Sequence, residues 1–223
     1  MCGRFVTVIP YDELKQIFDL IESKHHTEPR YNVAPTQTVG VVRCCDESDH
    51  NRYDTLKWGL IPSWSKDTSA ASHMINARSE TVAEKPAFRH AIKFKRCIVP
   101  VSGFYEWSRL GGEKHPYYIQ LADKSVMCLA GIWEHWKSPE GTDLETFSIL
   151  TTTANKLISQ LHDRMPVILQ PDSFGLWLNR NMHDTHFLQN LYSPYPDDLL
   201  SFYEVPKLVN NAKFDSPSCL AHV

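Results

Sequence analysis

A chain of 223 residues with 42% apolar side chains is long enough to bury a substantial core as a single domain, read here as spanning 1–223. Its net charge of −3 lacks the strongly basic balance of a generic nucleic-acid binder, and no run approaches the roughly 20 apolar residues of a bilayer span, so a helical membrane protein is excluded. Six cysteines, two of them adjacent at 44 and 45, read as reduced thiols, and eleven histidines form no Glu-framed zinc motif, so neither a disulfide framework nor a metal or other cofactor is expected.

The first residues, MCGRFVTVIPYDELKQ, lack the basic-then-apolar order of a secretory signal, which predicts a soluble, intracellular protein. Asp12 is placed to cap a helix whose apolar residues Leu14, Ile17, Phe18 and Ile21 fall on one stripe. A polar stretch, Lys24 to Arg30, follows, and then Tyr31-Asn32-Val33-Ala34-Pro35, whose proline favours an extended approach and a turn.

Strand-like runs fill the middle: Thr38 to Cys44, Tyr53 to Trp58, Arg96 to Val101, Phe104 to Ser108, Tyr117 to Leu121, Val126 to Trp133 and Thr146 to Thr152. Between two of them, Leu110-Gly111-Gly112-Glu113-Lys114 reads as a hairpin loop, because paired glycines supply the positive φ such a turn needs. Short helices are expected at Ala154 to Leu161, Pro171 to Leu178 and His183 to Leu191, and the tail after Pro206 reads as loosely ordered. Strands crowded together with helices towards both ends predict an α+β fold. Arg89, Lys93, Lys95 and Arg96 are candidates for a local basic cleft, with a plain solvated face as the alternative, and His25-His26 and the pair His183 and His186 read as solvated surface.

Chemistry concentrates at the start of the chain. Removal of Met1 would leave Cys2 with an α-amine and a thiol on adjacent carbons, a 1,2-aminothiol whose amine titrates near about 8 and whose thiol near about 8.5. Aldehydes are its natural target: the amine condenses to an imine and the thiolate closes a thiazolidine ring on the same carbon. Gly3 permits close backbone approach, Arg4 brings a cation, and Phe5 onward is apolar enough to anchor the terminus. Further along, Glu106 sits among aromatics, where a carboxylate is expensive without a partner or a task. Asn76 is equally readable as a turn residue, His162 as a satisfied structural histidine and Glu106 as the outward residue of an alternating strand.

Seven segments in order decide between these readings: Cys2-Gly3-Arg4-Phe5, Tyr31 to Pro35, Trp58-Gly59-Leu60-Ile61-Pro62, Ile75 to Thr81, Arg96 to Pro100, Gly103 to Trp107, and His162-Asp163-Arg164-Met165-Pro166. Together they closely resemble the SOS-response-associated peptidase (SRAP) family of abasic-site processing proteins. The resemblance implies a mostly antiparallel, barrel-like β core flanked by helices, and a cytoplasmic, nucleoid-associated or nuclear monomer whose partner is single-stranded DNA containing abasic sites. It implies that Cys2 captures the ring-opened sugar aldehyde as a reversible thiazolidine crosslink, that Asn76 lies near the trapped sugar, that Glu106 holds the Cys2 amine and moves protons, and that His162 assists opening of the hemiacetal. Arg4, Arg78 and Arg164, the arginines inside matched segments, are assigned to backbone phosphates, and Pro35, Trp64 and Trp107 to base stacking. Asn32 and Thr151 are assigned to further DNA contacts, and Trp58 to the core. A thiol peptidase built on Cys2, Glu106 and His162, including self-removal of Met1, is the alternative.

Overall fold

The computed structural model describes residues 2–20, 28–44, 50–110, 113–138 and 140–223. Its strands are β1 (Phe5–Thr7), β2 (Arg30–Val33), β3 (Thr38–Cys44), β4 (Asn51–Trp58), β5 (Asn76–Arg78), β6 (Arg96–Val101), β7 (Gly103–Leu110), β8 (Glu113–Leu121), β9 (Met127–Lys137), β10 (Asp143–Thr153), β11 (Arg164–Pro166), β12 (Ile168–Leu169) and β13 (Leu200–Glu204). The α-helices are α1 (Tyr11–Phe18), α2 (Ala91–Phe94), α3 (Phe174–Leu178) and α4 (Thr185–Leu188).

Five strands close on themselves. β4 pairs with β3, β3 with β6, β6 with β9 and β9 with β10, all antiparallel, and β10 returns to β4 in parallel with Thr146 opposite Lys57. A closed ring leaves no free edge, and the side chains pointing into it fill its centre. Beyond its contact with β4, β10 takes β5 in parallel, with Ile149 opposite Asn76 and Thr151 opposite Arg78, and β11 antiparallel, with Thr151 opposite Pro166. A second, wholly antiparallel sheet runs β13-β8-β7-β1-β2. Phe5, Trp58, Phe104, Phe147, Leu56 and Ile119 are fully buried where the two β layers meet, with the Phe5 and Trp58 rings 4.7 Å apart. Gly103 opens β7 where no side chain fits, since a Cβ there would lie 2.3 Å from the Ile119 carbonyl oxygen.

The α+β class and the barrel-like, mostly antiparallel core are as the sequence leads one to expect. Strand runs read from β-branched and aromatic residues reappear as β3, β4 and β6 to β10, several of them two to four residues longer at an end, because a partner strand extends pairing past the residues with high β propensity. The expected hairpin joins β7 to β8 with Leu110 opposite Glu113, while Gly111 and Gly112 lie outside the described residues, as do Ile21, His25 and His26.

Three local expectations are corrected. α1 starts one residue before Asp12, which lies inside the first turn and caps nothing, and the helix closes after Phe18 with Asp19 in the left-handed region at φ 48°. Leu14 and Phe18 are buried on its inner face, but Ile17 is 38% exposed. The helix expected from Ala154 shrinks to one 3₁₀ turn at Ile158–Gln160, with the Asn155 side chain accepting from the Ile158 N–H in the manner of a cap. The tail after Pro206 is packed: Val209 and Cys219 are fully buried against Val6, Tyr105 and Tyr118, and Asp215 pairs with Arg30 and accepts from the Tyr31 and Asn32 N–H groups. Among the described residues no helix is long and apolar enough to cross a membrane.

Candidate active site

The pairing of β1 with β7 sets Phe5 opposite Phe104, and the Tyr105 N–H donates to the Arg4 carbonyl at 2.9 Å, so the chain upstream of Phe5 runs beside β7 towards Glu106. Cys2 is fully buried there. Burial, reinforced by the Glu106 charge, pushes its thiol up to about 12, so with Met1 still attached the sulfur stays protonated at neutral pH. Asn76, delivered by β5, donates its Nδ2 to the Cys2 carbonyl at 2.8 Å, while its buried Oδ1 has no hydrogen-bond partner among the described residues. A buried acceptor left idle costs on the order of 1–3 kcal/mol, a cost usually tolerated where a ligand completes the site.

Glu106 is 5% exposed. Burial raises its carboxyl above the ordinary range, and nearby positive charge, that of His162 included, opposes the rise. His162 precedes β11 on the turn that Ile158 closes by accepting the His162 N–H at 3.0 Å. Its Nδ1 accepts from the Arg164 N–H at 3.0 Å and lies 2.7 Å from the Asp163 carboxylate. Asn76 and Glu106, from separate segments, therefore act directly on buried Cys2, and His162, from a fourth, joins them through its charge on Glu106. The set combines a buried thiol, a carboxyl whose titration burial raises, an imidazole and a free amide acceptor.

The residues assigned to DNA divide into two groups. Trp64, 66% exposed, and the exposed Arg78 line a groove of about 460 Å³ that reaches Asn76 and includes Met74, Lys85 and Phe88. Pro35 is half-buried at a turn that Thr36 completes with a positive φ of 73°. The others are spoken for within the protein. Arg4 donates to Asn32 Oδ1 at 2.7 Å and to the Val209 carbonyl at 2.8 Å, and its guanidinium lies 5.9 Å over the Trp107 ring, whose Nε1 donates to Asn210. Asn32 is fully buried and donates to the carbonyls of Val209, Asn211 and Phe214, which makes it a fastener of the C-terminal segment with no face left for DNA. Thr151 is fully buried in β10. Arg164 binds Glu80 through both terminal nitrogens and also donates to the Thr151 carbonyl at 2.6 Å.

Of the residues expected to form a local basic cleft, Arg89 and Lys93 are exposed, but Lys95 and Arg96 are engaged within the protein, above all Arg96. Its guanidinium, 6% exposed, donates to the carbonyls of Ile92, Lys93, Trp177 and Asn179, and Lys95 pairs with Glu134. Glu80 and Asp163 escaped the sequence reading although both lie in the motif segments that supplied Arg78 and Arg164. An acidic residue beside an arginine assigned to phosphate was the available signal.

Comparison with known proteins follows the same lines. The family model described as SOS response associated peptidase (SRAP) matches residues 1–212. The chain is 42% identical over 225 residues to the abasic site processing protein YoqW of Bacillus subtilis, covering 99% of both chains. It is 29% identical to the abasic site processing protein HMCES of Rattus norvegicus, over 99% of this chain and 76% of that one. A crystal structure of a protein from Bacteroides thetaiotaomicron superposes with a TM-score of 0.77 at 30% identity, covering 86% of this chain and 84% of the other.

Proposed function

The chain belongs to the SOS response associated peptidase (SRAP) family, and from that premise we propose that it processes abasic sites in single-stranded DNA by a covalent route through Cys2. Loss of Met1 unmasks the Cys2 amine beside Glu106. His162 assists opening of the abasic hemiacetal; the amine attacks the aldehyde carbon, water leaves as the imine forms, and the thiol adds to that carbon to close a thiazolidine. Glu106 relays the protons, and by microscopic reversibility the same groups reopen the ring. The trapped sugar can no longer lose its 3′ phosphate by β-elimination, so the strand is protected. Trp64, Arg78 and Lys85 hold the flanking strand, and the protein acts as a monomer.

The observation that carries this reading is the hydrogen bond from Asn76 to the Cys2 carbonyl at 2.8 Å, with the Glu106 charge acting on the same buried thiol. It fixes the one residue that carries nitrogen and sulfur within reach of a single carbon. A thiol peptidase fits less well, because a thiol held near 12 supplies almost no thiolate at neutral pH while Met1 masks the amine. The test is a denaturing gel of Met1-free protein with an abasic single-stranded oligonucleotide. A heat-stable, roughly one-to-one adduct that Cys2→Ala abolishes is expected; no adduct, or equal adduct in Cys2→Ser, overturns the proposal.

A further inference from the structure

His162 Nδ1 faces two partners that demand opposite protonation. The Arg164 N–H at 3.0 Å needs a lone pair on Nδ1, which places the proton of the neutral ring on Nε2. The Asp163 carboxylate lies 2.7 Å from the same nitrogen as an ion-pair contact, and its charge favours a proton on Nδ1, which leaves the lone pair on Nε2. One neutral ring cannot satisfy both, so the two partners compete for its tautomer. The other charged group acting on the ring is Glu106 from β7, while the Arg164 guanidinium is taken up by Glu80 and Thr151.

We propose that Asp163 is a positioning residue that draws the proton of His162 to Nδ1 and so makes Nε2 the base for opening the sugar ring, with the Arg164 amide holding the idle tautomer. The inference rests on the abasic-site reading above. Nε2 takes the proton of the C1′ hydroxyl; the O–H pair becomes the carbonyl π bond and the C1′–O4′ pair leaves with O4′. The imidazolium, which keeps its Nδ1 proton and is balanced by the Asp163 carboxylate charge, returns the proton from Nε2 to O4′. One proton has moved from one sugar oxygen to the other and His162 ends as it began. The Asp163 side chain is 85% exposed, so the effect is smaller than that of a buried triad aspartate, whose loss costs about 10⁴-fold.

Two variants separate tautomer control from folding. Asp163→Ala removes the acceptor, while Asp163→Asn keeps an oxygen that an Nδ1–H can use without the charge. Single-turnover crosslinking across pH should slow by about tenfold in the first and recover most of that loss in the second. Nitrogen NMR of the neutral His162 ring should show Nε2–H alone in Asp163→Ala and a share of Nδ1–H in the parent and in Asp163→Asn. An identical tautomer ratio and pH profile in Asp163→Ala and the parent would overturn the assignment. Because the spectra need no DNA, they judge Asp163 even if the parent forms no adduct, an outcome that would count against the abasic-site reading instead.

Discussion

A buried carboxyl whose titration is raised by burial binds its proton more tightly in the folded chain than in the unfolded one, and Glu106 is such a group. Its contribution to stability is therefore present below the ordinary carboxyl range and is lost as pH rises through the raised one. Glu106→Gln should melt above the parent at neutral pH, with the gap closing in acid, while crosslinking falls by roughly 10²–10⁴-fold. Melting curves at both pH values check the first half; a gap that does not change with pH would show that burial is not what raises this group. At this scale the sequence was informative wherever residue type alone limits the chemistry. Cys2 and Glu106 stood out because an amine-plus-thiol terminus and a carboxylate among aromatics each need a reason. The partners of Asn32 were invisible, because nothing near residue 32 announces three carbonyls from residues 209 to 214.

Between elements, β5 and β11 flank the end of β10, and the Glu80–Arg164 pair spans them. The pair holds the Glu80 carboxyl below its ordinary range, chiefly through the hydrogen bond from Arg164. A guanidinium whose two terminal nitrogens are engaged in this way meets a phosphate by exchanging one anion for another. Glu80→Gln should accordingly tighten binding to undamaged single strands several-fold and steepen the salt dependence by about 0.7 in the log–log slope, the increment for one more phosphate contact. Fluorescence anisotropy at three salt concentrations reads both; weaker binding with an unchanged slope would show that Glu80 orients Arg164 without competing for it. Long strands such as β3 and β6 were legible from their own residues. The short strands β1, β5, β11 and β12 were not, because two or three residues carry no period and their pairing is decided by neighbours distant in sequence.

Over the whole molecule, the net charge of −3 leaves any attraction to a polyanion to local cations, and the exposed Arg78 and Lys85 beside the Asn76 groove are the ones in place. The fold class followed from the density of strands, but ring closure depends on the parallel return of β10 to β4, which no local run specifies. The two ends of the described chain are tied by Arg4 and Asn32. Asn32→Ala removes the amide donor from the carbonyls of Val209, Asn211 and Phe214, of which Val209 keeps Arg4 and Asn211 keeps the Phe214 N–H, and should cost about 1–3 kcal/mol, with early proteolysis after Pro206. Urea unfolding and limited proteolysis test this together, and an unchanged midpoint would mean that apolar packing and the Asp215 and Arg4 bonds hold the segment without the Asn32 amide. The bond from Arg4 to the Val209 carbonyl carries a temporal consequence. A ribosome delivers residue 4 long before residue 209, so this fastening of the segment that carries Cys2 is made only when synthesis is nearly over.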